Sequence, residues 1–312
     1  MKILVVGPGA MGCLFGAGLA RAGHDVTLLD YRPERAQQIM EKGVRVETPE
    51  ETFHVKIPAI TAPPPDSPDL VLVCVKANKT REAALPLLPS CDTHTRVLSL
   101  QNGLGNLEAL VEIFGPGRVL GGVTAQGATV LGDGHVRHAG RGETLVGPAD
   151  PEAGPVSPVV RVFAEAGFPA REAPDVHQII WGKLIVNVGI NALTALTRLK
   201  NGRLAHVKGT RLVMADAVAE AAAVAGAMGI DLPYEDPLAR VLEVCAATAD
   251  NVASMLQDVR NRRPTEVAHI NGAIVREGSR LGIPRRKSIS APCRCPPRIH
   301  GRPESPGMES RR

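Results

Sequence analysis

Lys183, Asn187 and Asn191 stand at i, i+4 and i+8 in an otherwise apolar stretch, residues 181–193. On a helix that spacing stacks the three polar side chains in one row. A helix that is apolar elsewhere is a buried one, and a lysine there is costly unless it is paired or lines a wet cleft. Burial also lowers its pKa, which makes it a usable proton donor near neutral pH. Further along, residues 251–258 and 265–272 place more small polar groups and acids on what read as helices, among them Asn251, Ser254 and Glu266. Glu266 is a candidate partner for Lys183, with an ordinary exposed helix acid as the alternative. His269 reads as a surface or satisfied histidine.

A second set of groups lies near the start of the chain. Residues 2–6 are a short β-branched apolar run, the pattern of a buried strand. The run breaks at Gly7, Pro8, Gly9, Ala10, Met11 and Gly12, which fit G-x-G-x-x-G. The first glycine permits a tight turn, the second lets backbone approach a pyrophosphate, and the third lets the next helix pack close to the strand. That helix, expected over 13–22, points free N–H groups and its positive dipole end at the phosphates. A second strand, 25–29, ends in Asp30, and an acid at that place commonly binds an adenosine ribose. Lys76 follows the apolar run 70–75, and Asn102 follows a strand at 96–100. Ligands of an open α/β sheet bind beyond the carboxyl ends of its strands, so the glycine loop, Asp30, Lys76 and Asn102 all fall where a ligand is expected.

The elements that must position these groups divide the chain in three. Residues 1–174 alternate strands with helices, which predicts a Rossmann-like α/β domain on an open sheet. Glycines at 132 and 134 flank Asp133 between two strand-like runs and read as a hairpin. Residues 175–284 have helical periodicity almost throughout, including 212–228 and an unbroken 237–259. This predicts a mainly α-helical second domain. Residues 285–312 hold five prolines, eight basic residues and only two large aliphatics. Too little apolar surface is available there to offset ordering entropy, so disorder without a catalytic role is expected.

The bulk composition excludes several functions. The formal charge of +4 is misleading, because residues 285–312 carry +6 and the rest of the chain −2. A nucleic-acid partner rests on the tail alone, and 3% aromatic content supplies no base-stacking platform. Six cysteines show no disulfide framework and no metal-ligand spacing, which implies a reduced, cytoplasmic setting and no metal. No apolar run reads as a membrane span, and the glycines interrupt any signal-peptide core.

Taken together, G-x-G-x-x-G at 7–12, V-K-A at 75–77, Q-N-G at 101–103, W-x-K-x-x-x-N-x-x-x-N at 181–191, S-M-L-Q-D at 254–258, T-E at 265–266 and I-N-G at 270–272 resemble the ketopantoate (2-dehydropantoate) 2-reductases. The resemblance runs from residue 1 to about 284. It implies hydride transfer from NADPH to the C2 ketone of 2-dehydropantoate, giving pantoate for pantothenate and coenzyme A synthesis. It further implies that Lys183 is the general acid and that Glu266 works with it and holds substrate. Asn187, Asn191, Asn251 and Ser254 match substrate-contacting positions, and Lys76 and Asn102 match cofactor and active-site positions. A cation beside a nascent alkoxide stabilises charge that exists mainly in the transition state.

Two features depart from that pattern. Asp30, Tyr31 and Arg32 replace an early basic residue used for the cofactor's 2′-phosphate. Asp30 would repel that phosphate and suits NADH, whereas Arg32 would accept it; the resemblance implies NADP(H), and NAD(H) stays open because of Asp30. The segment after Pro284 does not resemble the family. The runner-up is a β-hydroxyacid dehydrogenase, whose S-G-G substrate motif is replaced here by G-G-V-T-A-Q at 121–126. A non-catalytic NADP(H) sensor is a third reading, against which the Lys183 and Glu266 pair argues. The expected partner is a small 2-keto acid, and a homodimer is allowed.

Overall fold

A computed structural model describes residues 1–283. The expectation for 285–312 therefore lies outside the described residues. The first region has strands β1 (Lys2–Val6), β2 (Asp25–Leu29), β3 (Val44–Glu47), β4 (Thr52–Val55), β5 (Ala59–Ile60), β6 (Leu70–Val73), β7 (Arg96–Ser99), β8 (Val119–Thr124), β9 (Gly127–Gly132), β10 (His135–Gly140), β11 (Thr144–Pro148) and β12 (Ala170–Glu172). Helices α1 (Ala10–Arg21), α2 (Pro33–Lys42), α3 (Thr80–Ala84), α4 (Asn106–Phe114) and α5 (Ser157–Glu165) alternate with them.

The main sheet runs β12-β11-β8-β7-β6-β1-β2-β5. Its pairs are parallel apart from β11 against β8. Chain order reverses between β1 and β6, so the crevice at a topological switch point opens beyond their carboxyl ends. β1, β6 and the inner parts of β7 and β8 are buried as continuous apolar runs, as a sheet covered on both faces requires.

A second sheet, β4-β3-β10-β9, packs over α1. It explains why α1 is apolar nearly all round: Cys13, Leu14, Phe15, Ala17 and Leu19 are buried between two sheets. Phe15 meets Phe163 and Phe168 edge-on, with ring centroids 5.2 and 5.0 Å away. α1 begins at Ala10, inside the glycine motif and three residues before the expected start.

The helical region comprises α6 (Val176–Thr197), α7 (Asn201–His206), α8 (Lys208–Ala227), α9 (Pro237–Ala247), α10 (Ser254–Arg260) and α11 (Asn271–Arg280). Asp175 caps α6 by accepting the backbone N–H groups of His177 and Gln178. At 22 residues α6 is long and apolar enough to cross a membrane by length and composition, contrary to the sequence expectation. Its apolarity instead serves two cores. Val176, Ile179 and Ile180 pack into the sheet region, and Trp181, Leu184, Ile185 and Val188 into the helical one. Lys183 thus stands just past the seam between them.

The segment expected as one helix over 237–259 is two. α9 ends at Ala247 and α10 starts at Ser254, with Asn251 and Ser254 exposed at the break. Its apolar residues keep helical period across the gap, so hydrophobic spacing alone does not reveal the interruption.

Candidate active site

The glycine loop crosses the end of β1. Gly7 has φ +92°, a left-handed conformation that a side chain disfavours. A Cβ on Gly12 would stand 2.2 Å from the Gly7 carbonyl oxygen and 3.3 Å from Cys74 Cβ just past β6, so the added atom collides with the loop's own backbone. A Cβ on Gly9 would meet nothing within 4 Å, leaving open space where the loop faces the crevice. Gly9 is the N-cap of α1 and no side chain caps that helix. Backbone donors and a dipole end therefore face a space open to a diphosphate, and the loop fits a dinucleotide. Burial pushes both neighbouring thiols, Cys13 and Cys74, up to about 12, which excludes thiolate chemistry there. We expect Gly12→Ala to weaken dinucleotide binding at least tenfold and to cost about 1–3 kcal/mol of stability, because the added methyl overpacks rigid backbone. Fluorescence titration and thermal melting check both parts.

Asp30 directly follows β2, but its carboxylate does not face the crevice as a free ribose acceptor. The residue is 1% exposed. Oδ1 accepts Arg35 Nη2 at 2.6 Å and the Arg32 backbone N–H at 3.1 Å, and Oδ2 accepts Arg35 Nε. The Arg32 guanidinium donates to Asp133 at 2.8 Å, across from the tip of the β9–β10 hairpin.

Beyond β6 and β7, four side chains meet across the two regions. Lys76 Nζ donates to Asp258 Oδ2 at 2.6 Å and lies 3.7 Å from Glu266 Oε2. Glu266 Oε1 accepts the Ala77 N–H at 3.2 Å, and Asn102 Nδ2 donates to Oε2 at 3.5 Å. Burial raises the Asp258 carboxyl, opposed by the hydrogen bond from Lys76. Glu266 lies on the turn before α11, not on a helix as expected. The same turn is fastened to the first region: Leu104 N–H donates to the His269 carbonyl at 2.9 Å, and His269 Nδ1 lies 3.1 Å from Leu104 O. His269 is therefore a satisfied histidine.

Lys183 donates to the Thr124 carbonyl at the end of β8, 2.9 Å away. It is not in ion-pair contact with Glu266. Glu266 instead acts on it through space, raising a pKa that burial pulls down from 10.5 to about 8. The Lys183 ammonium is thus a stronger acid than an exposed lysine, with a carboxylate nearby but not bonded to it. Along α6, Asn187 is half-buried and Asn191 is buried at 5% exposure. Asn251 lies exposed in the break before α10 and Ser254 at its first residue, and Asp258 is one turn beyond Ser254 on the same helix.

The structure therefore brings Lys76, Asn102 and Glu266 into contact and sets Lys183 within electrostatic reach. Asp258 and Thr124 belong to this cluster although neither was singled out from sequence. The i, i+4 spacing of Ser254 and Asp258 was a usable signal for the first; nothing local marked the second. A buried network supports the loops: Gln101 Nε2 donates to Val75 O at 2.7 Å and Thr80 Oγ1 at 2.9 Å, and Thr80 Oγ1 donates to Asn106 Oδ1 at 2.8 Å. Among the described residues, no group of three or more His, Cys, Asp and Glu side chains is placed to hold a metal ion.

Two sequence models, described as "Ketopantoate reductase PanE/ApbA" and its "C terminal" part, match residues 3–151 and 175–287. The chain belongs to the ketopantoate reductase family. It is 39% identical to a 2-dehydropantoate 2-reductase of Halobacterium salinarum, over 88% of this chain and 91% of that one. A solved PanE/ApbA family ketopantoate reductase from Ralstonia eutropha superposes with a TM-score of 0.84 at 38% identity, covering 91% of this chain and 93% of that one. A D-mandelate dehydrogenase solved with NADH and anilino(oxo)acetate gives the same TM-score at 28% identity, covering 91% and 94%. The ketopantoate reductase fold is thus shared with a dehydrogenase solved with NADH.

Proposed function

We propose that this protein reduces 2-dehydropantoate to pantoate with a nicotinamide cofactor. The observation that carries this reading is the placement of Lys183, with its lowered pKa, at the seam facing Glu266, in a chain whose relatives bear that activity. When bound along the glycine loop, the reduced cofactor supplies a hydride to C2 of the ketone. Lys183 gives its Nζ proton to the carbonyl oxygen, so the C=O becomes C–H and O–H and the lysine is left neutral until water reprotonates it. Developing negative charge on that oxygen is met by a cation already held in place by Thr124. Glu266 keeps Lys183 protonated and, with Asn187, Asn191, Asn251 and Ser254, forms the substrate-facing wall. Lys76 and Asn102 hold Glu266 in position from the cofactor side.

This assignment fixes a pH dependence. Reduction needs the charged lysine, so kcat/KM should be level below about pH 8 and fall roughly tenfold per unit above it. An initial-rate profile with saturating cofactor checks it; activity that climbs through that range would remove Lys183 as donor.

For the cofactor we propose NADP(H). The support is that Asp30 is neutralised by Arg35, while Arg32 remains 42% exposed at the end of β2. Arg32→Ala should raise KM for NADPH roughly tenfold more than KM for NADH. Equal changes, or an NADH preference in the parent enzyme, would assign the choice to Asp30. A competing reading, another 2-keto acid with NADH, draws on the mandelate dehydrogenase likeness. A panel of 2-keto acids against both cofactors separates the two by kcat/KM.

A further inference from the structure

We infer that two residues outside the glycine loop, Arg35 and Asp133, set cofactor selectivity: Arg35 cancels the acid at the end of β2, and Asp133 competes with a 2′-phosphate for Arg32. The inference rests on the reading that Arg32 is the phosphate-facing cation. Four charges gather here, and their pairing is specific. Asp30 has no solvent-exposed side-chain surface, and both of its oxygens accept bonds from Arg35. A carboxylate so engaged neither takes ribose hydroxyls nor projects a full charge toward a neighbouring phosphate. The feature that by sequence argues for NADH is therefore masked by a residue five positions later.

Arg32 is held differently. Among the described residues its side chain pairs with Asp133, and both side chains are 42% exposed. Its Nε is buried and makes no hydrogen bond among the described residues, and Asp133 engages the guanidinium at Nη2. Asp133 sits at a hairpin tip that is fixed rather than free. The Gly134 carbonyl accepts the Arg45 N–H at 2.8 Å, and a Cβ on Gly134 would lie 3.1 Å from both Gly43 O and Ile39 Cγ1. The hairpin is thus seated on the end of α2, whose first turn follows Arg32, and it delivers a carboxylate to that arginine from a hundred residues away. An exposed ion pair of this kind is weak and readily exchanged for a doubly charged phosphate. Asp133 then acts as an internal competitor that lowers affinity for the phosphorylated ribose without touching the rest of the dinucleotide.

The test compares 2′,5′-ADP with 5′-AMP by calorimetry on the full chain, since the two differ only in the 2′-phosphate. Asp133→Asn should tighten 2′,5′-ADP roughly two- to fivefold and leave 5′-AMP unchanged. Arg35→Gln should weaken 2′,5′-ADP about tenfold by unmasking Asp30, and Asp30→Asn in the same chain should restore it. Should Arg35→Gln alone not fold, the double variant and Asp133→Asn still decide the matter. A parent enzyme that binds both ligands equally would overturn the Arg32 reading together with this inference. A parent that prefers 2′,5′-ADP, with a preference unmoved by Asp133→Asn or not restored in the double variant, would overturn this inference alone.

Discussion

Replacing Lys183 with alanine should lower kcat by about two orders of magnitude or more, with cofactor affinity nearly unchanged. The separation follows from placement: the proposed proton donor is on α6 and bonds to Thr124, whereas the glycine loop lies at the ends of β1 and β6. The alkaline limb of the pH profile should vanish with the side chain. A stability effect of opposite sign is also expected. Because burial depresses the lysine pKa, the unfolded chain binds more protons than the folded one between about pH 8 and 10.5, and this group's contribution to stability rises through that window. Lys183→Met removes the burial of charge while filling similar space, so its melting temperature at pH 7 should exceed the parent's by the equivalent of about 1 kcal/mol. That advantage should shrink as pH rises toward 10.5. Near-normal kcat in Lys183→Ala would remove the mechanism.

Glu266→Ala should be the next most damaging change, lowering kcat/KM about a hundredfold through both constants. Its carboxylate accepts from Ala77 and Asn102 and faces Lys76, so truncation strands two donors and loosens the junction between the two regions. Glu266→Gln gives a sharper signature. It preserves size but removes the charge that raises the Lys183 pKa, so the alkaline limb should move below that of the parent enzyme. A limb that stays in place would mean that Glu266 does not act on Lys183.

Much of this architecture is legible in the chain because its signals are local. Continuous apolar runs mark β1 and β6, and the glycine motif marks the turn between β1 and α1. The polar row on α6 is likewise local, three hydrophilic groups at helical spacing, and it supplies the edge proposed to react. What the sequence hides is non-local. The parallel pairing of β3 with β10 joins residues some ninety positions apart, and no local pattern encodes it. For the same reason the local sequence marks Asp133 as a turn residue and does not reveal its pairing with Arg32. Asp30 shows a different limit: its position at a strand end was right, but its charge state toward a ligand depends on Arg35, which sequence spacing alone does not point inward. The sequence offers Glu266 as a partner for Lys183, and the structure makes its direct contacts Ala77, Asn102 and Lys76 instead.

The most direct test of the central claim is product analysis with a deuterated cofactor. The full chain is incubated with 2-dehydropantoate and NADPH carrying deuterium at the transferring position of the nicotinamide, and the product is examined by NMR. The account predicts pantoate with a single deuterium at C2, formed by the parent enzyme and nearly absent with Lys183→Ala. Cofactor bound but never oxidised, or oxidised without deuterium reaching C2 of pantoate, would contradict it.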